Sequence, residues 1–308
     1  MQIIETSAEE YGAVFTRYPH IYNGVPFSEL NRRKTARLHY LIFRKPKVRF
    51  GLVLGDDNSG TLLSPFSAPF GGLTYNKTQS IEFIDDAIKV LKEYGRERNR
   101  RIRMTLPPFF YDDRHLPCVA NALFREARLY KMDINYHFLI SDFNGYETVI
   151  ERNAKKNLRH AMEQDIAFTV ADGNDCEDIK RAYDIIKRNR EEHGYPLRMT
   201  CGEVIDTTHV IPADFFILSH GDNDIAAAQV FHVTDRIYQV IYWGDLREHA
   251  SLRPMNLLAY RIFEHYHKQG LEILDIGPST EESMPNYGLC SFKESIGCRS
   301  SLKLSFEI

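Results

Sequence analysis

The sequence is short of cysteine and has no long apolar run. Its five cysteines form no Cys-x-x-Cys pair and leave one over, a pattern typical of free thiols in a reducing compartment. No uncharged apolar stretch approaches the roughly 18 residues that a membrane span needs. The N-terminus has neither a basic region nor a long apolar run. We therefore expect a cytoplasmic protein without a disulfide framework, a signal peptide or a membrane span.

The chain also lacks a large net charge and several known catalytic sequence motifs. The formal net charge of −3 argues against a globally basic protein and against DNA as a partner. The absence of a Gly-x-Ser-x-Gly sequence and of a phosphate-binding glycine loop disfavours a serine hydrolase and a nucleotide-hydrolysing enzyme. His265 and His267 are two residues apart and would point to different faces of a helix, so we expect no metal site there.

What is present is a large core and a repeated order of elements. The 308 residues are 43% hydrophobic and 12% aromatic, enough for two domains of ordinary size. Residues 37–140 predict strand, strand, strand, helix, strand, helix, strand. Residues 166–307 predict the same order, preceded by a strand and two helices. We expect an α/β fold with mixed sheets and helices on both faces, built as two tandem domains, 1–145 and 146–308.

Several helices have clear signals at their ends. Apolar residues at spacings of three and four predict a helix from Ile81 to Tyr94 that ends at Gly95. Similar patterns predict helices over 116–130, 146–163, 175–193 and 254–268. Thr200-Cys-Gly-Glu203 is a capping-box sequence, which predicts the start of a further short helix.

The last quarter of the chain is the most informative part. A short apolar strand, Leu271–Ile276, reaches Asp275 and then the loop residues Gly277, Pro278 and Ser279. Strand ends that run into such loops are where α/β folds expose chemistry. Asp275 could act there as a base for an incoming amine, or it could cap the turn that follows. A short helix with a Phe292-Lys293 pair comes next.

Five runs resemble the FemAB-like transferases of the GNAT acyltransferase superfamily, and the similarity extends over about residues 35 to 307. The runs are Ser64–Gly72, Asn157–Ala167, Arg190–Pro196, Asp275–Thr280 and Phe292-Lys293. The resemblance implies two tandem GNAT-like domains, of which the second is complete. It also implies transfer of an acyl or aminoacyl group to an amine, in a cell-wall precursor or peptidoglycan-bridge role. Phe292 and Lys293 would line the transfer site, with Lys293 stabilising negative charge.

One departure from the superfamily leaves the donor open. Acetyl-CoA-using members hold the pyrophosphate in a glycine-containing loop before a helix, but residues 248–256 of this chain contain no glycine. Arg253 and Asn256, at the start of the following helix, would then be the cofactor-binding residues. The donor is expected to be an acyl-CoA or an aminoacyl-tRNA.

Three further groups are candidates for binding the acceptor. Arg152, Lys155 and Arg159 share one face of a basic helix and could bind an anionic or nucleotide-linked acceptor, or a charged tRNA. The alternative is a solvated face. The Ser64–Gly72 loop, with Phe70, Gly71 and Gly72, could form one wall of an acceptor cleft between the domains, or could be only a stiff connection. Tyr242 and Ser279, at strand ends, could contact substrate, although Tyr242 could equally be core.

Two other functions fit the same residues. One is an acyl-CoA-dependent N-acetyltransferase of a polysaccharide or small-molecule pathway. The other is a catalytically idle GNAT-like protein that binds a nucleotide sugar or a protein. The missing glycine loop favours the aminoacyl or idle alternatives, whereas Asp275 and the Phe292-Lys293 pair favour an enzyme.

Overall fold

The structure is a computed structural model that describes all residues from Met1 to Ile308. It divides into two compact units. Unit 1 contains Met1–Ile134, Thr280–Met284 and Ser301–Ile308, and unit 2 contains Asn135–Ser279 and Pro285–Ser300. The division therefore lies before the predicted boundary at 141–145, and the end of the chain belongs with the first unit because Ser305 pairs with Thr105.

The elements follow the predicted order. In chain order the first half contains β1 (Gln2–Thr6), α1 (Ala8–Val14), α2 (Val25–Leu30), β2 (Leu38–Lys45), β3 (Lys47–Asp56), β4 (Thr61–Ser64), α3 (Ile81–Glu97), β5 (Arg101–Thr105), α4 (Leu116–Glu126) and β6 (Arg128–Leu139). The second half contains α5 (Tyr146–Val149), α6 (Arg152–Met162), β7 (Ile166–Ala171), α7 (Cys176–His193), α8 (Cys201–Thr208), β8 (Ala213–His220), β9 (Asn223–His232), β10 (Ile237–Asp245), α9 (Pro254–Gln269), β11 (Ile273–Pro278), β12 (Thr280–Glu281), β13 (Met284–Pro285), α10 (Tyr287–Ser295) and β14 (Arg299–Glu307).

Unit 1 is built on a mixed sheet with the strand order β1-β2-β3-β4-β5-β14. Only β4 and β5 are parallel, and α3 connects them. The apolar face of α3 buries Ile84, Ile88 and Leu91 against the sheet, as the spacing of these residues predicts. Burying three such side chains contributes about 1.5–3 kcal/mol each, so packing holds the connection in place.

Unit 2 repeats this plan. Its strand order is β6-β11-β10-β9-β8-β7, and only β10 and β11 are parallel, connected by α9. Each unit therefore has one parallel pair of strands with a helix between them. The predicted tandem repeat of mixed α/β units is present.

Local signals fix several helix ends as expected. Asp175 caps α7 by accepting a hydrogen bond from the N–H of Glu177, and Gly194 ends that helix at a φ of 67°. Thr200 and Glu203 form both hydrogen bonds of the capping box at α8. Gly270 ends α9 at a φ of 76°. A side chain at a positive φ would be strained, which is why glycine occupies both C-terminal positions.

Three predicted helices are wrong in extent. The helix predicted to end at Gly95 continues to Glu97, because Gly95 lies within its last turn. The helix predicted over 116–130 ends at Glu126, because Ala127 is extended and β6 begins at Arg128. The helix predicted over 146–163 is two helices, since Ile150 is extended and the N–H of Glu151 donates to the carbonyl of Ser295 instead of continuing the helix. No helix of the chain has both the length and the apolar character needed to cross a bilayer.

Candidate active site

The parallel strands of unit 2 separate before either of them ends. Their register has three positions, and the last is Gln239 opposite Asp275. Both strands then bulge against their other neighbours, β10 between Val240 and Tyr242 and β11 between Asp275 and Gly277. We call the space between residues 240–245 and 276–278 the β10/β11 opening. It lies at the carboxyl end of a parallel pair, where α/β sheets bind ligands.

Asp275 lies at the point where the strands separate. Its side chain is 0% exposed. One carboxylate oxygen accepts from Asn135 Nδ2 at 2.7 Å and from the Gly277 N–H at 2.8 Å, and the other accepts from Gln239 Nε2 at 2.7 Å. The carboxylate thus joins β6, β10 and β11. This is the turn-capping geometry, and it does not leave Asp275 facing an open cleft as a base.

Lys293 is buried as well, at 2% exposure. Its Nζ donates to three consecutive carbonyls, those of Ile276 at 3.0 Å, Gly277 at 2.9 Å and Pro278 at 3.1 Å. Three adjacent carbonyls can converge in this way because the strand is bulged and Gly277 has a φ of 75°. An ammonium group has three N–H donors, so each carbonyl takes one of them. In this state Lys293 clamps the end of β11.

Phe292 and Ser279 lie beside this clamp. Phe292 makes an edge contact with Trp243, with ring centroids 5.9 Å apart, and so joins α10 to the separated end of β10. Ser279 is 2% exposed, and its Oγ has no hydrogen-bond partner. Tyr242 packs in the core of unit 2, and its hydroxyl accepts from the Arg198 N–H at 3.3 Å. Of the two adjacent aromatics, Trp243 is the one that contacts α10.

A further residue of this region, Arg190, has no ionic partner. Its guanidinium lies 5.0 Å from the ring of Tyr242 and 5.7 Å from that of Tyr195. Its Nε is shielded from solvent and makes no hydrogen bond. Burial lowers the pKa of Arg190, with no carboxylate to offset it, yet a guanidinium stays charged in proteins. A partly buried cation without a carboxylate partner is unfavourable, and an anionic ligand would relieve this cost.

Arg190 was not among the predicted site residues, although a signal for it exists. It follows Ile186 by four residues and therefore continues the buried face of α7. A charged residue at a core-facing helical position is unusual unless it has a partner. Tyr195, whose ring lies near the guanidinium, also accepts a hydrogen bond from Asn286 Nδ2 at 3.0 Å, and Asn286 caps α10. Arg190 and α10 are thereby linked through two side chains.

The basic face of α6 is partly neutralised by one carboxylate. Lys155 and Arg159 pair with Glu147 at 2.7 and 3.3 Å. Hydrogen bonding to Lys155 and the charges of Lys155 and Arg159 lower the pKa of Glu147. Arg152 is exposed. Acceptor binding by these three cations stays a prediction, and the solvated face is the simpler account of their contacts.

The Ser64–Gly72 loop, predicted to form one wall of an acceptor cleft, packs mainly against its own residues and the core of unit 1. Phe70 is fully buried against other aromatic rings of unit 1. A Cβ on Gly71 would lie 2.6 Å from Ser64 Oγ, and Gly72, at a φ of 108°, donates its N–H to that same oxygen. The glycines are required by the loop's own packing. Ligand contact by Phe70 and Gly72 stays a prediction, whereas Gly71 lines a pocket of unit 1.

Residues 248–256, which contain no glycine, have few backbone N–H groups free to bind a pyrophosphate. Residues Arg247–Leu252 form a 3₁₀ helix, and Arg253 then takes a φ of 58° before α9. Pro254 has no N–H, and the N–H of Asn256 already donates to the Arg253 carbonyl at 3.2 Å. Arg253 is exposed and Asn256 is buried. The start of α9 is therefore poorly equipped as an anion cradle, and the predicted roles of both residues remain untested.

Comparison with known proteins identifies the domain. Residues 150–287, somewhat less than half of the chain, match the family described as acetyltransferase (GNAT) domain. No curated protein sequence matches the chain. Among solved structures, FemX is 12% identical, with 100% of this chain and 97% of that chain aligned at a TM-score of 0.70.

Two other solved structures have related folds. The C-terminal domain of a putative lysylphosphatidylglycerol synthetase from Agrobacterium fabrum is 12% identical, covering 98% of this chain and 92% of its own at a TM-score of 0.62. A tandem GNAT protein from the clavulanic acid biosynthesis pathway is 10% identical, covering 100% and 98% at a TM-score of 0.55. At these identities the similarity concerns the fold.

Residues 150–287 are thus an acyltransferase domain, and the opening between two parallel strands is part of it. Over its whole length the chain has a fold of two GNAT-like units, similar to the folds of FemX and of a tandem GNAT protein, as the sequence resemblance implies.

Proposed function

We propose that this acyltransferase moves an aminoacyl group to an amine on an anionic acceptor, and that the reaction takes place at the β10/β11 opening. The observation that carries the proposal is Arg190, a partly buried cation without an ionic partner. It packs against Tyr242 at the separated end of β10. A phosphate or carboxylate of the acceptor would pair with it through charge-assisted hydrogen bonds.

The chemistry needs positioning more than reactive side chains. The acceptor nitrogen attacks the acyl carbon, the new C–N bond forms, and the bond to the donor oxygen or sulfur breaks. The leaving atom takes the proton that the amine loses. Negative charge develops on the acyl oxygen meanwhile. Beyond Gln239 the side of β10 that faces β11 has no strand partner, so backbone N–H groups there can donate to that oxygen.

The predicted catalytic residues acquire positioning roles in this proposal. Lys293 holds the carbonyls of residues 276–278, and Asp275 holds the N–H of Gly277. Together they keep β11 turned away from β10, so that the opening stays formed. Phe292 and Trp243 supply an apolar wall. Ser279 Oγ is buried without a partner, and its contact with substrate stays a prediction.

The donor is proposed to be an aminoacyl-tRNA. The start of α9 offers few amides for a CoA pyrophosphate, since Pro254 has no N–H and the Asn256 N–H is already used. The name of one structural relative, a putative lysylphosphatidylglycerol synthetase, describes attachment of a lysyl group. A nucleotide-linked cell-wall precursor would be an acceptor of suitable charge. The second candidate is acetyl-CoA-dependent N-acetylation, which the domain family's description favours.

Donor binding tests the choice between these two. We expect titration calorimetry with acetyl-CoA to give a Kd weaker than about 100 μM, because the pyrophosphate lacks a cradle. Charged tRNA should bind more tightly than the same tRNA without its aminoacyl group. An acetyl-CoA Kd near 1 μM, about −8 kcal/mol, would contradict the aminoacyl donor. Loss of such binding in Arg253→Ala, with Arg247→Ala unaffected, would then assign the CoA to the start of α9.

A further inference from the structure

The hairpin that joins β2 to β3 concentrates positive charge at its tip. β2 ends at Lys45 and β3 begins at Lys47, so a single residue separates the two strands. Together with Arg44 and Arg49, these lysines place four cations within six residues of a chain whose formal net charge is −3. We call residues 44–49 the basic hairpin. It belongs to unit 1.

The basic hairpin brings like charges together with little compensation. Lys45 and Lys47 are directly opposite each other in the strand register, and like charges in such a pair destabilise it. Lys45 pairs with Asp86 of α3 at 2.6 Å, and the charge of Glu82 on the same helix also acts on it. Lys47 is exposed and makes no hydrogen bond or ion pair. The tip therefore keeps a surplus of positive charge after the neighbouring carboxylates are counted.

The two arginines are oriented by the fold and keep free donors. Arg44 Nε donates to the Pro46 carbonyl at 3.2 Å, and Arg49 Nε donates to a carbonyl of the same hairpin at 2.9 Å. The Arg49 guanidinium also lies 3.9 Å from the centroid of the Phe83 ring, and its Nη1 donates to Gln79 at 3.4 Å. Neither arginine pairs with a carboxylate. Both terminal nitrogens of Arg44 and Nη2 of Arg49 remain available, and such groups bind phosphate oxygens.

The surface suits a chain of phosphates more than one enclosed anion. Residues 44–47 are all exposed, so their cations do not line a pocket. A nucleic-acid backbone has one charge per phosphate and releases its counterions as protein cations replace them, which makes exposed contacts worthwhile. No large apolar side chain is exposed within residues 44–49, whereas attachment to a bilayer surface uses such side chains as anchors. Charge complementarity therefore favours a nucleic acid over a membrane.

We propose that the basic hairpin binds the phosphate backbone of RNA. Its identification with the body of the donor tRNA rests on the aminoacyl-tRNA donor of the proposed function. The hairpin contacts phosphates, so its binding depends neither on the RNA sequence nor on the aminoacyl group. The surface lies outside residues 150–287, the part that matches the acetyltransferase domain.

Binding of unacylated tRNA to the full chain tests this assignment. Fluorescence anisotropy over a series of salt concentrations gives both the affinity and its salt dependence. The double variant Arg44→Gln, Lys47→Gln removes two exposed cations that have no ionic partner. We expect its tRNA affinity near 0.1 M salt to fall about tenfold, and the slope of log K against log salt concentration to become shallower by about 1.5, as the loss of two phosphate contacts requires.

The matched control removes the same charge from unit 2. Arg236 and Lys268 are exposed and pair with Glu272 and Glu264. The double variant Arg236→Gln, Lys268→Gln should keep its tRNA affinity within about twofold of the wild type, because salt screens charges that are far from the bound phosphates. If the hairpin double variant is unstable, Lys47→Gln alone should give about half of the change in slope.

Four outcomes would overturn the proposal. Equal losses in the two double variants would show that net charge governs binding. Tight tRNA binding by the wild type and the hairpin variant alike would exclude the hairpin and leave the aminoacyl-tRNA donor intact. No tRNA binding by the wild type would contradict both the hairpin contact and that donor. Hairpin-dependent binding to phosphatidylglycerol vesicles without tRNA binding would assign the surface to a membrane.

Discussion

Replacing Lys293 by methionine is expected to lower the melting temperature by about 10 °C and to abolish most activity with it. Methionine keeps the length of the side chain but removes all three donors to the carbonyls of residues 276–278. Buried acceptors left without partners cost about 1–3 kcal/mol each, and a loss of several kcal/mol corresponds to a shift of this size for a chain of this length. Circular dichroism melting and a transfer assay well below the variant's melting temperature measure the two effects.

The control is Lys268→Met, because Lys268 is exposed and pairs only with Glu264. It should change neither stability nor turnover appreciably. The sequence alone predicts a different outcome for Lys293, a loss of turnover of about a hundredfold with folding intact. If Lys293→Met melts within about 1 °C of the wild type but is inactive, Lys293 contacts the reacting oxygen and the clamp is unimportant.

Replacing Arg190 by methionine is expected to have opposite effects on stability and binding. The free protein should become more stable, by about 1 kcal/mol, because a partly buried cation without a carboxylate partner is removed. Binding of a UDP-linked peptidoglycan precursor should weaken by about a hundredfold, since a charge-assisted hydrogen bond is lost. Denaturant unfolding and titration calorimetry would record the two changes, and the Michaelis constant should rise more than turnover falls.

Arg188→Met is the matched control on the same helix. Arg188 is half-exposed and pairs with Glu248 at 2.9 Å and Glu192 at 3.8 Å. Its replacement should alter precursor binding less than twofold and leave stability within about 0.5 kcal/mol. If Arg190→Met is destabilising and binds the precursor as the wild type does, then Arg190 supports the packing of Tyr242 and binds no anion.

Much of the fold follows from local sequence signals. The spacing of Ile84, Ile88 and Leu91 predicts α3, and Thr200 with Glu203 predicts the start of α8. Local signals do not predict features that depend on contacts between residues far apart in the sequence. The division between the units depends on Ser305 pairing with Thr105, two hundred residues apart in the chain, and the break before α6 depends on the Ser295 carbonyl.

The predicted site residues stay a prediction, and their environments could not be predicted from the sequence. Lysine is almost never fully buried, so nothing local indicates that Lys293 would meet three carbonyls of another element. The burial of Asp275 depends on Asn135 and Gln239, which only the folded sheet brings to it. Only for Arg190 could the environment be predicted from the sequence, because its spacing from Ile186 places it on the buried face of α7.

A transfer assay with the purified full chain tests the central claim most directly. Radiolabelled aminoacyl-tRNA is mixed with a UDP-linked peptidoglycan precursor that has a free amine, and the products are treated with alkali. The proposed reaction converts the alkali-labile ester of the tRNA into an alkali-stable amide on the precursor, so label should move to the precursor and remain there. Release of the label only as free amino acid, together with acetylation of the same amine from acetyl-CoA, would contradict the account.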